Sequence, residues 1–310
     1  MGNPLRDKNP EIYRLITIRT TEARLWITPS AKVRKLIGGI VARYQEALGI
    51  EIYAYCFLGN HPHLLIKAPR ANADEFCENM NREIARRLNW KHHREGQFWG
   101  RRYSEQEVIA DPSDLLEAFL YINTNPSKHG LVRDSSTWPG LSSYNQSLDG
   151  EDRRFSFHHY SAVDETARVT VHKLKLSVLP QFASLSRKRR KAAIEGLLKE
   201  RMEQIAKERK EKGQGFLGLE GVLGTFPGSI PQTVSRAPRP PCYTKCPERR
   251  REFKRRNRER RARYSEASFH YRLGDLKVEF PEHTFKPPLH RAPRIIPFHP
   301  LSHDFLKPAA

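Results

Sequence analysis

Hydrophobic positions in the first half of the chain follow the two periods that distinguish strands from helices. Segment 14–20 (RLITIRT) alternates apolar and polar residues and carries β-branched side chains, which predicts a strand. Segments 51–58 (EIYAYCFL) and 61–68 (HPHLLIKA) predict two further strands, and the Gly-Asn pair at 59–60 predicts the turn of an antiparallel hairpin. A fourth strand is expected within 98–109.

Three segments with apolar residues at helical spacing separate and follow these strands. The first helix is predicted to begin after Ser30, a capping residue, and to end at Gly49. The second covers about 72–91, and the third begins at Asp111, has a proline in its first turn and must stop near Pro126. The order β-α-β-β-α-β-α with short connections predicts an α+β fold, a ferredoxin-like antiparallel sheet with helices on one face.

The second half of the chain has a different composition, which predicts a domain over 1–150 and a basic extension over 151–310. A charged segment at about 186–212 predicts a helix with a narrow apolar stripe. Beyond Gly213 the chain is rich in Gly, Pro and Arg, and we expect it to be irregular or disordered. Within it, the run 245–263 holds eleven Lys and Arg against three Glu. A second, weakly specific nucleic-acid contact and a solvated tail are equal alternatives for this run.

The net charge of the chain indicates the chemical class of its binding partner. The sequence contains 55 Lys and Arg against 35 Asp and Glu, which gives a net charge of +20. A polyphosphate partner is the usual physical reason for so large and one-sided an excess, whereas a solubilising surface is the alternative. We therefore expect a nucleic-acid-binding protein.

Neither a membrane segment nor a disulfide framework is indicated. The chain lacks a run of about 20 apolar residues and an apolar N-terminal signal core, so we expect it to stay in the cytoplasm. Four scattered cysteines are too few for a disulfide scaffold: Cys56, Cys77, Cys242 and Cys246. The last two can join a histidine in a zinc site, although free thiols are the simpler expectation.

Two histidines separated by one residue open the third predicted strand. Side chains at i and i+2 on a strand lie on one face, roughly 7 Å apart at the backbone, so His61 and His63 can converge on one metal ion. Two such histidines are more often ordinary surface or core residues, and the spacing alone leaves both interpretations open. Pro62 lies between them and cannot donate to a ladder, so we expect the strand to be bulged or unpaired there.

A tyrosine and an asparagine lie four residues apart near the end of the third predicted helix. This spacing places Tyr121 and Asn125 on one helix face, so that the phenol and the amide point into the same space. Core packing of Tyr121 and a helix-terminal role for Asn125 are the alternatives.

These two pairs occur in strings that resemble a known family. The string GNHPHLLI, followed about 60 residues later by YINTNP and then by HGLV, is similar to the HUH tyrosine transposases. It most resembles the single-tyrosine insertion-sequence type and the REP-associated tyrosine transposases. The resemblance spans about Tyr13 to Tyr144 and includes the segments RLITIRT, FWGRRYSEQEVI and WPGLSSY. The family normally has a bulky hydrophobic residue between the two histidines, where this chain has Pro62.

The resemblance implies a metal-dependent enzyme that cuts and rejoins single-stranded or hairpin DNA. It implies that Tyr121 is the nucleophile and that His61, His63 and Asn125 bind a divalent metal, Mg²⁺ or Mn²⁺. Attack would leave a 5′-phosphotyrosine and a free 3′-OH, so rejoining would need no nucleotide cofactor. A phenol with a pKa near 10 is a poor nucleophile at neutral pH, and a metal would stabilise the charge that develops on the phosphate.

Residues near these elements are candidates for DNA contacts. Arg101, Arg102 and Lys128 can hold phosphates. Trp99 and Tyr103 can stack on unpaired bases. Solvated arginines and core aromatic rings are the equal alternatives.

Two other classes of function stay open on the sequence. One is a non-catalytic nucleic-acid-binding regulator that keeps the fold without turnover. The other is an RNA-processing nuclease in which a histidine acts as general base without metal. A monomer and a homodimer are both compatible with the sequence.

Overall fold

A computed structural model describes residues 5–160, 168–231 and 240–288. The chain divides into two compact units, one over 8–254 and one formed by 1–7 with 255–310. The strands are β1 (Tyr13–Thr17), β2 (Glu51–Phe57), β3 (Pro62–Lys67), β4 (Ser104–Val108), β5 (Arg153–His158), β6 (Val169–Leu174) and β7 (Cys242–Tyr243). The helices are α1 (Ala31–Leu48), α2 (Ala73–Lys91), α3 (Pro112–Asn123), α4 (Asn125–Lys128), α5 (Tyr144–Asp149), α6 (Arg187–Glu211), α7 (Gly218–Leu223) and α8 (Pro247–Arg272).

Strands β1 to β4 form an antiparallel sheet in the order β2-β3-β1-β4. Helix α1 connects β1 to β2 and helix α2 connects β3 to β4, which is the βαββαβ arrangement of a ferredoxin-like fold. The predicted α+β class and antiparallel sheet are confirmed. The short strand β7 pairs with β4 in parallel orientation, so a segment distant in sequence completes this edge of the sheet.

Helices cover both faces of the sheet. In β1, Ile16 joins the core that contains α1 and α2, whereas its neighbour Leu15 joins the core that contains α3 and α6. In β3, Leu64 and Leu65 divide between the same two cores. The expectation of helices on one face is therefore corrected to helices on both faces. Consecutive apolar residues in β1 and β3 place apolar side chains on both faces of the sheet, so each face must be covered.

The helix ends follow the capping chemistry of the sequence. The Ser30 hydroxyl accepts a hydrogen bond from the Val33 amide at 3.2 Å and begins α1. Gly49 ends α1 with φ +65°, a left-handed conformation that favours glycine. The Asp111 carboxylate accepts from the Ser113 amide at 3.0 Å and begins α3.

Pro62 is accommodated at the start of β3 without a bulge. It lies opposite Phe57 in β2, while pairing with β1 begins one residue later, at His63. A first strand position suits a residue that has no amide hydrogen to donate. The register shift in this hairpin lies instead between Ile52 and Ala54.

The β5–β6 hairpin packs on α1 because two glycines let it approach closely. A Cβ atom on Gly38 would overlap the Phe155 ring, and one on Gly39 would overlap the Ser156 carbonyl oxygen. Two adjacent glycines in a helix therefore mark the place where another backbone crosses it.

Two helices dominate the basic extension. The helix expected at about 186–212 is α6, whose Ile194 and Leu198 enter the core on the α3 face. The Arg-rich run expected to be irregular is helical, as part of α8. The physical reason is that Arg, Lys and Glu are good helix formers, and pairs such as Arg255 with Glu259 add i,i+4 attraction. Among the described residues, no helix combines the length and apolar character that a membrane crossing needs.

Candidate active site

His63 of β3 and His61, the residue just before this strand, lie on the face of the sheet that α3 covers. His61 and His63 are each 7% exposed, and their ring centroids lie 4.8 Å apart with the planes nearly perpendicular. His63 is paired on both sides, with Thr17 of β1 and Cys56 of β2, so its backbone is fixed within the sheet. The alternation of side chains along a strand therefore delivers both imidazoles to one space.

Helix α3 brings a tyrosine to these histidines. The Tyr121 ring centroid lies 5.2 Å from that of His63, and its hydroxyl oxygen lies 3.5 Å from Nε2 of His63. Tyr121 is half-buried, whereas Phe119 and Leu120 before it are buried in the core. The phenol thus points toward the site while its neighbours anchor the helix.

A break in the helix sets the position of Asn125. α3 ends at Asn123, and the short helix α4 begins at Asn125 with Pro126 in its first turn. Asn125 is fully buried, and its Nδ2 lies 3.5 Å from the Tyr121 carbonyl oxygen. The Asn125 side chain also lies close enough to the Tyr121 phenol to lower its pKa, as expected for two side chains on one helix face. The helix restarts at Asn125 rather than simply stopping at the proline.

The donor set fits a divalent cation. The Asn60 amide donates to the Ala23 carbonyl oxygen at 2.7 Å, which directs its Oδ1 to Nδ1 of His61 at 2.5 Å. Nδ1 of His61 must then carry the hydrogen, so its Nε2 is free of a proton. Nδ1 of His63 and Oδ1 of Asn125 are buried without a hydrogen-bond partner, the state of an atom that awaits a ligand.

An amide is an essential member of this donor set. Among the described residues, no three His, Cys, Asp or Glu side chains are grouped to hold a metal. Two imidazoles with one amide oxygen could hold a divalent cation, and these ligand types do not by themselves select Mg²⁺ or Mn²⁺ over other transition metals.

Burial determines the protonation states in the site. It lowers the pKa of His63 to about 3 and holds the pKa of His61 well below its ordinary value, with nearby positive charges adding to the effect. Both imidazoles are thus neutral at pH 7, as metal ligands must be. Burial raises the pKa of Tyr121, although the Asn125 side chain opposes this shift, so the resting phenol is protonated.

Positive charge surrounds the phenol. Nζ of Lys128 lies 4.4 Å from the Tyr121 ring centroid, in cation–π contact. Burial lowers the pKa of Lys128. Arg19 lies close enough for its charge to lower the pKa values of both histidines and of Tyr121. These two cations can receive a phosphate beside the phenol.

The other sequence-predicted DNA contacts divide into two groups. Arg101 and Arg102 are exposed, and they follow Gly100, whose amide donates to the Arg19 carbonyl oxygen. Trp99 is 9% exposed and donates its indole N–H to the Asn81 carbonyl oxygen, and Tyr103 packs against the same core. This burial fits the alternative of core aromatic rings and leaves the Trp99 ring unsuited to base stacking.

Sequence reasoning missed several side chains at the site. His129 lies in the HGLV string, and its ring centroid is 5.7 Å from that of His61. Asn60 was assigned only to a turn, and Arg19 only to a strand. Tyr243, whose ring centroid lies 6.1 Å from that of Tyr121, had no sequence signal because it follows Tyr121 by 122 residues.

The extension also holds the helix that carries Tyr121. Asp114 of α3 is 3% exposed and accepts hydrogen bonds from the Thr244 hydroxyl at 2.6 Å and the Lys245 amide at 3.1 Å. Arg249 forms ion pairs with both Asp111 and Asp114, at 2.6 and 3.1 Å. Residues at the start of the Arg-rich run therefore fix the N-terminal half of α3.

The cysteines near this contact are free thiols. Cys242 is buried in β7, and Sγ of Cys246 lies 3.1 Å from a Glu248 carboxylate oxygen. Across 5–160, 168–231 and 240–288, no cysteine belongs to a cluster suited to a metal, so the zinc alternative has no support there.

Comparison with known proteins relates the first part of the chain to a group of transposases. A family model described as "Transposase IS200 like" matches residues 12–125. A putative REP-associated tyrosine transposase of Haemophilus influenzae is 33% identical, in a match that covers 34% of this chain and 65% of the relative. The chain thus spans a little under two thirds of the length of this relative.

Two solved structures are also similar to part of the chain. One is a REP-associated tyrosine transposase bound to a REP hairpin, with 21% identity and a TM-score of 0.40 over 48% of this chain and 86% of that one. The other is a putative transposase from Deinococcus radiodurans R1, with 17% identity and a TM-score of 0.28 over 35% of this chain and 87% of that one.

Proposed function

We propose, from the match of residues 12–125 to the family model described as "Transposase IS200 like", that the protein is a metal-dependent endonuclease and strand transferase for single-stranded DNA. The observation that carries the proposal is the series of contacts that joins the four side chains: His61 to His63, His63 to Tyr121, and the Tyr121 phenol to Asn125. Each group has the chemistry its role requires: two neutral imidazoles, an amide oxygen without a partner and a phenol with positive charge beside it.

The proposed reaction is attack of the Tyr121 hydroxyl oxygen on a phosphodiester phosphorus. A bond forms between the phenol oxygen and phosphorus, the bond from phosphorus to the 3′-oxygen breaks, and the phenol proton is lost. The products are a 5′-phosphotyrosine and a DNA strand that ends in a protonated 3′-OH. Attack of another 3′-OH on the phosphotyrosine reverses these changes, so strand joining needs no nucleotide cofactor.

Because burial raises the pKa of Tyr121, the phenol needs its surroundings for this step. When bound by His61, His63 and Asn125, Mg²⁺ or Mn²⁺ would supply Lewis-acid stabilisation of the charge on the phosphate. His63 orients the phenol through Nε2 at 3.5 Å. Lys128 and Arg19 hold the phosphate by charge, and Lys128 also fixes the Tyr121 ring.

We propose hairpin-forming single-stranded DNA as the ligand because the strings that hold His61, His63, Tyr121 and Asn125 resemble those of the HUH tyrosine transposases. The net charge of +20 supports a polyphosphate ligand independently. We propose that Arg101 and Arg102, which are exposed, contact the backbone of such a strand.

A covalent-adduct assay tests the proposal. Purified protein is incubated with end-labelled single-stranded hairpins from the DNA that flanks its gene, with Mn²⁺, and the products are resolved on a denaturing protein gel. We expect a slow-migrating labelled band with the wild type that EDTA abolishes and that Tyr121→Phe lacks. Tyr44→Phe on α1 is the matched control and should form the adduct normally.

Tight binding without an adduct, over a broad panel of hairpins, would contradict the enzymatic proposal. It would favour the non-catalytic binding protein. An adduct that forms equally well in EDTA would instead contradict the metal requirement.

A further inference from the structure

An exposed aromatic pair lies near the end of α2 and two residues beyond β5. Both elements contribute to the core that contains α1 and α2, whereas Tyr121 packs against the core that contains α3. Trp90 is 74% exposed and Tyr160 is 62% exposed, and their ring centroids lie 6.1 Å apart. Single exposed hydrophobic residues are common on protein surfaces. Two large aromatic rings in mutual contact form a contiguous apolar patch, and such patches often mark binding sites.

The buried Arg87 side chain supports the Tyr160 ring of this patch. The Arg87 guanidinium lies over the Tyr160 ring at 4.8 Å and over the Phe157 ring at 4.2 Å. Arg87 is only 4% exposed, and it donates to Glu83 at 2.6 Å and to the His158 carbonyl oxygen at 2.6 Å. Because Arg87 is fixed by these bonds, the Tyr160 ring above it is a supported surface rather than a free side chain.

The charge around the rings is positive. Arg86 has a side chain that is 63% exposed, Lys91 follows Trp90, and the Arg43 guanidinium lies 4.2 Å from the Phe157 ring centroid. With Arg87 these side chains outnumber the carboxylate of Glu83, which pairs with Arg86 and Arg87. Stacking rings bordered by cations form the surface that binds unpaired nucleotides in proteins of many folds.

We propose that Trp90 and Tyr160 form a second nucleic-acid site, a stacking platform for unpaired bases that flank the hairpin. Bases of any identity stack on the two rings, while Arg86 and Lys91 attract the phosphates. The inference rests on the proposed function in that it takes single-stranded DNA as the ligand. It assigns to Trp90 the stacking role that the buried Trp99 does not serve.

Binding of two matched DNA ligands tests the platform. Fluorescence anisotropy compares a labelled hairpin that carries a single-stranded extension of about ten nucleotides, on either side, with the same hairpin without an extension. We expect Trp90→Ala and Tyr160→Ala each to weaken binding of an extended hairpin about 5-fold or more, and to leave the blunt hairpin unchanged. Phe226→Ala, which removes an aromatic ring that is 80% exposed elsewhere, should change neither affinity.

A conservative variant separates stacking from a general effect on the fold. Trp90→Phe keeps a ring and should retain affinity for an oligothymidylate, while the quenching of tryptophan emission that this strand causes in the wild type should decrease. Equal weakening of extended and blunt hairpins by Trp90→Ala, or no effect on either, would overturn the platform.

The two proposals fail in distinguishable ways. Neither ring belongs to the proposed catalytic machinery, so Trp90→Ala should form the metal-dependent adduct normally at saturating DNA. Normal adduct formation with no dependence of affinity on Trp90 would reject the platform alone. Absence of any adduct in the wild type would reject the catalytic proposal, while the difference between extended and blunt hairpins would still decide the platform.

Discussion

The Tyr121 hydroxyl oxygen lies 3.5 Å from Nε2 of His63, across an interface between a strand and a helix that are 58 residues apart in the chain. Burial keeps the imidazole neutral and the phenol protonated. When Nδ1 of His63 is left for a metal, Nε2 carries the ring hydrogen and donates to the phenol oxygen. The distance is at the outer limit of a hydrogen bond, as is common in a site that tightens only around its substrate.

Replacing His63 tests this relationship. His63→Ala removes both a proposed ligand and the group that orients the phenol, so we expect the initial rate of adduct formation with Mn²⁺ to fall about 100-fold or more. The rate is measured with end-labelled hairpin DNA under single-turnover conditions. His270→Ala, which changes an exposed histidine of α8, should have a wild-type rate. Comparable rates for His63→Ala and wild type would remove His63 from the site.

Asn60 should act through His61. Asn60→Ala removes the acceptor that fixes the His61 tautomer, so the Mn²⁺ concentration that gives half-maximal adduct formation should rise about 10-fold to 100-fold. Saturating Mn²⁺ should restore much of the rate, since Tyr121 is unchanged. Asn79→Ala is the control because its side chain bonds to Glu75 and Arg82 within α2. An unchanged Mn²⁺ dependence would show that Asn60 has no role in orienting the ligand.

Lys128 should contribute a phosphate contact. The logarithm of the hairpin binding constant is expected to fall linearly with the logarithm of salt concentration, and Lys128→Ala should reduce that slope by about 0.7 to 0.9. Lys128→Arg should keep the slope, because the positive charge remains. Lys199→Ala on the exposed side of α6 should leave it unchanged. A Lys128→Ala slope equal to that of the wild type would assign this lysine to packing on Tyr121 alone.

Glu117 links α3 to the extension through ion pairs whose contribution to the free energy of unfolding depends on pH. Burial opposes ionisation of Glu117, but Arg201 at 2.8 Å and Lys245 at 2.9 Å outweigh it, so its pKa is lowered. A lowered folded-state pKa stabilises the fold above the unfolded-state pKa near 4.5, and this contribution is lost as pH falls through the folded-state value.

Glu117→Gln should therefore lower the free energy of unfolding by about 1–2 kcal/mol at pH 7. The difference from wild type should shrink toward zero near pH 3, as measured by urea unfolding at both pH values. Both proteins share the buried histidines, so their titration cancels in the difference. Glu75→Gln, an exposed change on α2, should have little effect at either pH. A constant difference across this range would assign the loss to packing rather than charge.

The strand and helix periods predicted the sheet and the positions of His61, His63, Tyr121 and Asn125, because these features depend on local order. The helix ends could also be predicted, because capping depends on the residue at the helix end itself, as at Ser30, Gly49 and Asp111. The metal-ligand and nucleophile roles came from the family resemblance, since spacing alone left core packing open for each residue.

Contacts between segments that are far apart in the sequence could not be predicted from local sequence patterns. Tyr243 reaches Tyr121, and Thr244 reaches Asp114, only because a two-residue strand pairs with the sheet edge. Trp90 and Trp99 lie only nine residues apart in the sequence, yet Trp90 is 74% exposed and Trp99 is 9% exposed. Such differences arise from tertiary packing, which local secondary-structure propensity does not predict.

The most direct test of the account is to locate the covalent bond in the adduct. The protein–DNA complex formed with Mn²⁺ is digested with nuclease and protease, and the peptide that retains a nucleotide is sequenced by tandem mass spectrometry. We predict a phosphotyrosine at Tyr121. A modification at Tyr243, whose ring centroid is only 6.1 Å away, or at any other residue, would contradict the assignment of the nucleophile.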